Sequence, residues 1–152
     1  PTPLRLFGAQ SFVLGVSASG SAGPVGADAG VIQVGIDRSG KVFMTSNVHG
    51  NAGPGIPQAS AGITAGFSSG SAADQMGRAT EWEVGANGIL LGIAGGGDFT
   101  WTIPEGRSFA DGYWTASGTL GLGLPPAAWS AFFGWGVSGG SASLDLCAAF
   151  RE

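Results

Sequence analysis

Apolar and small polar residues alternate along most of this chain. Phe12, Leu14, Val16 and Ala18 share one face of 10–19, and Val13, Gly15, Ser17 and Ser19 the other. In the same way Ile32, Val34 and Ile36 oppose Val31, Gln33 and Gly35, and Ile63, Ala65 and Phe67 oppose Gly62, Thr64 and Gly66. Trp114, Ala116, Leu120 and Leu122 oppose Thr115, Ser117, Thr119 and Gly121. Trp129, Phe133 and Trp135 oppose Ser130, Gly134 and Gly136, and Leu144, Leu146 and Phe150 oppose Ser143, Asp145 and Cys147. A period of two is the signature of strands, and no stretch carries a helical stripe. Strands are predicted at 10–19, 28–37, 41–49, 59–68, 80–86, 88–95, 98–103, 112–124, 130–138 and 141–150. The segment 70–79 reads as a loop or one short helical turn.

Two stretches obey one formula. GSAGPVGADAGVIQVG at 20–35 and GNAGPGIPQASAGITAG at 50–66 share Gly-x-Ala-Gly-Pro, a spacer, Ala-x-Ala-Gly and a β-branched residue. Each copy reads as a Gly-Pro corner leading into a strand, with Leu124-Pro125-Pro126-Ala127 as a decayed third. A hairpin turn is predicted at Asp37-Arg38-Ser39-Gly40-Lys41, with Gly40 at the position that needs positive φ. Together these predict a meander of hairpins in which sequential strands pair.

One face of each strand is therefore bulky and apolar, the other small and weakly polar. Solvated sheet faces and exposed edges normally carry Lys, Glu and Arg, which these strand interiors largely lack. Few exposed edges and many strand glycines point to tight curvature and closure. The expected fold is all-β: a small antiparallel barrel of eight to ten strands, with a two-sheet sandwich as the alternative. Two assignments of the faces stay open. Bulky residues either fill the inside of a soluble barrel, or face lipid around a polar lumen. Strands of the length predicted satisfy the second. Trp82, Trp101, Tyr113, Trp114, Trp129 and Trp135 are candidates for membrane or partner contact, the first five near strand ends as an aromatic girdle; plain core packing is the simpler account of them.

Composition narrows the classes. The 152 residues include 30 glycines, six basic and ten acidic residues, a net charge of −4 and one cysteine. They form one Gly-rich domain with 1–9 as an N-terminal extension. A hydrophobic fraction of 43% against 11% charged residues favours folding over disorder. No Lys/Arg cluster exists, so a nucleic-acid partner is not expected. A lone Cys147 permits no internal disulfide and no Cys-built zinc site. No apolar run is long enough for a membrane helix, and no signal peptide opens the chain.

The stretch SFVLGVSASGSAGPVGADAGV, the turn DRSGKVF, the strand ASAGITAGFS and the later Gly-rich strands carry a resemblance. Over about 10–150 the chain resembles the Gly-rich β domains at the C-termini of bacterial polymorphic toxins of the Rhs/YD-repeat type. That resemblance implies a secreted antibacterial cargo domain with a cognate immunity protein as partner, and assigns no catalytic residue.

Candidate chemistry is sparse. His49 is the only histidine and the one catalytic candidate, in need of a carboxylate or nucleophile nearby; its alternative is a surface or loop position. Cys147 as a nucleophile would want His49, but reads more simply as a small buried residue. Glu81 and Glu83 share a strand face, and Asp98 and Asp111 flank an apolar run; such pairs serve acid/base chemistry, bind calcium, or simply face water. Arg107 lies in a turn, as a partner contact or a solvated cation. Gly95-Gly96-Gly97 lacks the following helix a phosphate cradle requires. No metal site and no cofactor are expected.

Three functions follow, in order. The first is a non-enzymatic, exported toxin or effector domain that acts on membranes of the target cell by β-barrel insertion. The second is a soluble barrel that binds a small apolar ligand or a protein partner. The third is an enzyme using His49 with loop carboxylates. Oligomeric state is left open.

Overall fold

In the computed structural model, which describes residues 8–22 and 24–145, the chain forms eight strands. They are β1 (Ser11–Ser21), β2 (Val25–Asp37), β3 (Lys41–Ala52), β4 (Gln58–Ser68), β5 (Gly77–Leu90), β6 (Ile93–Pro104), β7 (Tyr113–Leu124) and β8 (Ala127–Asp145). A short 3₁₀ turn, Phe109–Asp111, precedes β7. Cys147, Phe150 and most of the predicted extension lie outside the described residues.

The sheet closes on itself in the order β1-β2-β3-β8-β5-β6-β7-β4, every neighbour antiparallel. The small barrel is thus as expected, but the meander is not. Only β1–β2–β3 and β5–β6–β7 are sequential hairpin runs; β4 sits between β1 and β7, and β8 between β3 and β5. The first Gly-Pro corner turns a hairpin as predicted. The second, at 53–57, instead carries the chain across one end of the barrel to β4. The two corners meet there, Gly53 N–H donating to the Pro24 carbonyl at 3.0 Å. Closing the sheet requires such a crossing, since β4 and β8 join the two hairpin runs.

Two strand boundaries also differ from the sequence reading. The predicted strand 88–95 is cut by a two-residue turn, Leu91-Gly92, with both φ positive (53° and 80°) as a type I′ hairpin demands. Gly95-Gly96-Gly97 lies within β6 rather than between strands. The predicted strands 130–138 and 141–150 run together as far as Asp145, the last described residue, because β8 pairs along both β3 and β5. The predicted hairpin at 37–41 is present: Gly40 has φ of 86°, and Asp37 Oδ1 accepts from Ser39 N–H and Lys41 N–H at 3.0 Å each. The connection from β4 to β5 crosses this end, with Ala72 N–H donating to Asp37 Oδ2 at 2.9 Å.

The faces are settled by closure. Leu14, Val16, Val34, Val48, Ile63, Val84, Phe99, Leu120 and Phe133 all point outward and stand exposed. Inside are small and polar residues: Ser11, Thr64, Ser68, Thr100 and Thr102, with His49, Glu81 and Glu83. Among the described residues, the buried apolar clusters lie at the two ends. Val13, Phe43 and Ala72 close one, and Ile89, Ala94 and Ala128 the other. The assignment with bulky residues inside is therefore overturned. Eight strands leave an interior about wide enough for side chains to fill, and small residues on the inner face make room for the polar ones.

Candidate functional site

The polar interior has a centre. Asp28, His49, Gly136, Glu81 and Thr102 are paired in direct succession across β2, β3, β8, β5 and β6. Strands two apart are separated by about 9–10 Å, too far for most side-chain pairs to meet across the strand between. Here that strand carries Gly136, so imidazole and carboxylate close over it. His49 Nε2 lies 2.7 Å from Glu81 Oε1, and Nδ1 lies 2.7 Å from Asp28 Oδ1.

The cluster has an outer layer. Thr102 Oγ1 donates to Glu81 Oε2 at 2.9 Å, and Asn51 Nδ2 donates to Asp28 Oδ2 at 2.9 Å. In the adjacent row Asn51, Gly134, Glu83 and Thr100 succeed one another across β3, β8, β5 and β6. Glu83 Oε2 is 3.3 Å from His49 Nδ1, yet neither Glu83 oxygen accepts a hydrogen bond, and the residue is 1% exposed. Both imidazole nitrogens face carboxylate oxygens, and a neutral ring can donate to only one side. Nearby inside the lumen, Asp98 accepts from Ser117 Oγ. Among the described residues no Lys or Arg is buried in the lumen beside these carboxylates.

Gly136 and Gly134 are what make this possible. A Cβ on Gly136 would sit 2.6 Å from His49 Cδ2 and closer still to the Val48 carbonyl oxygen; on Gly134 it would lie 2.9 Å from Glu83 Oε1. Because the first clash is with backbone, relaxation must open the β3–β8 pairing. Gly136→Ala is expected to cost at least about 3 kcal/mol, the upper range for overpacking, as a lowered midpoint in denaturant followed by circular dichroism.

The sequence candidates fall out differently from expectation. His49 is neither at the surface nor in a loop but inside, 3% exposed. Glu81 and Glu83 face the lumen rather than water. Asp98 also points inward, whereas Asp111 sits in the exposed 3₁₀ turn, accepting from Ser108. Arg107 is an exposed loop residue paired with Asp74 at 2.9 Å. Partial burial opposes the charge on Asp74, but the Ser71 N–H and the Arg107 guanidinium hold its carboxyl below the usual range. Asp28 was not singled out, because strict alternation places it on the outward face with Ile32. A bulge reverses the parity of β2 between Gly30 and Gln33 and turns Asp28 inward. The adjacent apolar pair Val31-Ile32 was the available signal.

The aromatic candidates form a second feature. Trp135, Trp82, Trp101 and Trp114 pair in succession across β8, β5, β6 and β7, a row of outward rings. Trp129 also points outward, on the same strand as Trp135 but nearer the opposite end. None of the five tryptophans belongs to the core. Tyr113 points the other way: its parity is opposite to that of Trp114, so it is buried, and its hydroxyl donates to Gln75 Oε1 at 3.0 Å.

Among the described residues, charge outside the lumen is segregated along the barrel axis. Arg38, Lys41, Asp74, Arg78, Glu105, Arg107 and Asp111 all lie at the end where β2 joins β3, β4 joins β5 and β6 joins β7. The connections at the other end, 22–24, 53–57, 91–92 and 125–126, contain no charged residue. The chain matches no family model, no curated protein and no solved structure.

Proposed function

We propose that this chain is a membrane-inserting β-barrel domain whose outer face is seated in lipid. One observation carries the reading: a closed barrel with its large apolar side chains outside and its titratable cluster inside. Among the described residues, 26 large hydrophobic side chains are exposed, whereas the apolar core is confined to two small end clusters. Soluble monomers seldom expose contiguous apolar patches beyond a few hundred Å². An apolar exterior with a polar interior is the arrangement of a membrane barrel, and 11 or more residues per strand suffice to cross. No helix among the described residues is long and apolar enough to cross a membrane, which says nothing against strands.

A single copy reads as a sealed barrel rather than an open pore. Both ends carry apolar clusters and crossing connections, and the interior cavity is about 100 Å³. That space holds a few waters, and it is smaller than the several hundred Å³ of ordinary ligand pockets, which disfavours an enzyme acting through His49. Antibacterial action and an immunity partner rest on the toxin-domain resemblance alone.

The outward tryptophans supply the test. With lipid vesicles, emission is expected to shift strongly to the blue and the protein to float with the vesicles. Emission indifferent to lipid, with protein left in the aqueous layer, would sink the proposal.

Charge segregation adds a direction: the uncharged end enters first, since no ion has to cross with it. Its tip holds Leu91, 84% exposed and in a left-handed conformation that bulky residues avoid. Asp-Gly suits this turn better than Leu-Gly. Leu91→Asp is therefore expected to preserve or improve folding in detergent while slowing insertion into preformed vesicles severalfold. Equal insertion rates by stopped-flow fluorescence would refute the direction.

A further inference from the structure

We propose that Asp28, His49 and Glu83 form a binding site for a divalent transition-metal cation of the Zn²⁺ class inside the barrel. Each offers one ligand atom, and the three atoms lie within 4.8 Å of one another. Acidic groups cluster in many proteins without an ion, but Glu83 is different. Its carboxyl is fully enclosed, no N–H or hydroxyl donates to its oxygens, its one hydrogen-bonding neighbour is the acidic Asp28, and Oε2 faces His49 Nδ1 at 3.3 Å. Two buried acidic groups that must otherwise share a proton are costly to ionise, and a cation that displaces the proton satisfies both.

The surroundings match what such a cation needs. Nδ1 of His49, which meets Asp28 at 2.7 Å, becomes the ligand when the cation takes the place of its proton and the proton leaves to solvent. Glu81 accepts from the Nε2 side of the ring and is itself fixed by Thr102. A metal-bound imidazole characteristically has its other nitrogen held by a carboxylate in this way. Asn51 orients the remaining Asp28 oxygen. Glu81, Thr102 and Asn51 are thus positioning residues. At tetrahedral bond lengths, N and O ligands stand roughly 3.4 Å apart. The Nδ1 to Glu83 separation already fits, and the 2.7 Å from Nδ1 to Asp28 has to open by a small rotation of the carboxylate. Asp28 is the accessible member and lines the interior cavity, which gives the ion and a completing water a place. One imidazole and two carboxylates suit Zn²⁺ better than Ca²⁺, which takes six to eight oxygens.

The site does not depend on what surrounds the barrel, so it stands or falls apart from the membrane reading. The test adds Zn²⁺ alone to the chelator-treated 152-residue chain in detergent and counts bound metal by equilibrium dialysis. One ion per chain is expected, with stoichiometric uptake lost in Asp28→Asn and in Glu83→Gln and retained in Asp98→Asn. Glu81→Gln should weaken uptake by about 10- to 100-fold, the range for a positioning partner. Co²⁺ added to the unaltered chain should give the intense visible absorption of a four- or five-coordinate site, which needs no variant to fold. Absence of saturable uptake, equal competition by Ca²⁺, uptake that persists in Glu83→Gln, or a weak octahedral Co²⁺ spectrum would each overturn the proposal.

Discussion

His49→Ala should be the most destabilising single substitution in the interior. His49 lies between Asp28 on one side and Glu81 on the other, with Glu83 beside it. Removing the ring leaves three carboxylates facing one another across a lumen where, among the described residues, no lysine or arginine is buried. Removing one member of a buried charged cluster costs about 3–5 kcal/mol, because the partners stay buried without compensation. Against a total stability of about 5–15 kcal/mol for an ordinary domain, much of the folded population would be lost. The measurement is denaturant unfolding followed by circular dichroism, with chelator present throughout so that metal loss does not contribute. Glu83→Gln under the same conditions should be neutral or stabilising, since burial and the adjoining Asp28 already hold the Glu83 carboxyl in its uncharged form and the amide keeps that shape. A His49→Ala midpoint within about 1 kcal/mol of the parent would show that the cluster is not held together through the ring.

A charge on the outer face should have opposite effects in water and in lipid. Ile63 projects from the middle of β4, between Val16 on β1 and Leu120 on β7, all three exposed. In a bilayer Ile63→Arg is expected to cost about 2–4 kcal/mol, the range for a basic residue at the midplane of a barrel's lipid face. In aqueous buffer the same change should cost little and raise solubility, because it breaks an apolar surface rather than a core. Folding yields in vesicles and in buffer, measured side by side, separate the two readings of the outer face. Loss of stability in buffer with no penalty in lipid would place Ile63 against protein and remove the support for a lipid-facing belt.

Much of the architecture is legible in the sequence. Alternation is a property of consecutive residues, so strand character and the sorting of side chains into two faces can be read along the chain. The scarcity of charge in strands pointed to closure, and the Asp37 turn carried its own chemistry in Asp37, Ser39 and Gly40. What alternation cannot say is which face becomes the inside, because that is decided only when the last strand pairs with the first. The crossings that place β4 beside β1 and β8 beside β3 are long-range in the same sense. The site depends on them most. Its residues lie in a row perpendicular to the chain, on strands β2, β3, β5 and β6, and the row becomes continuous only because β8 brings Gly136 between His49 and Glu81. Asp28 joins through a bulge that reverses the parity of its own strand. Local sequence determined the strands and their two faces; closure and cross-strand register alone decided that the polar face lies inside and that His49 meets three carboxylates there.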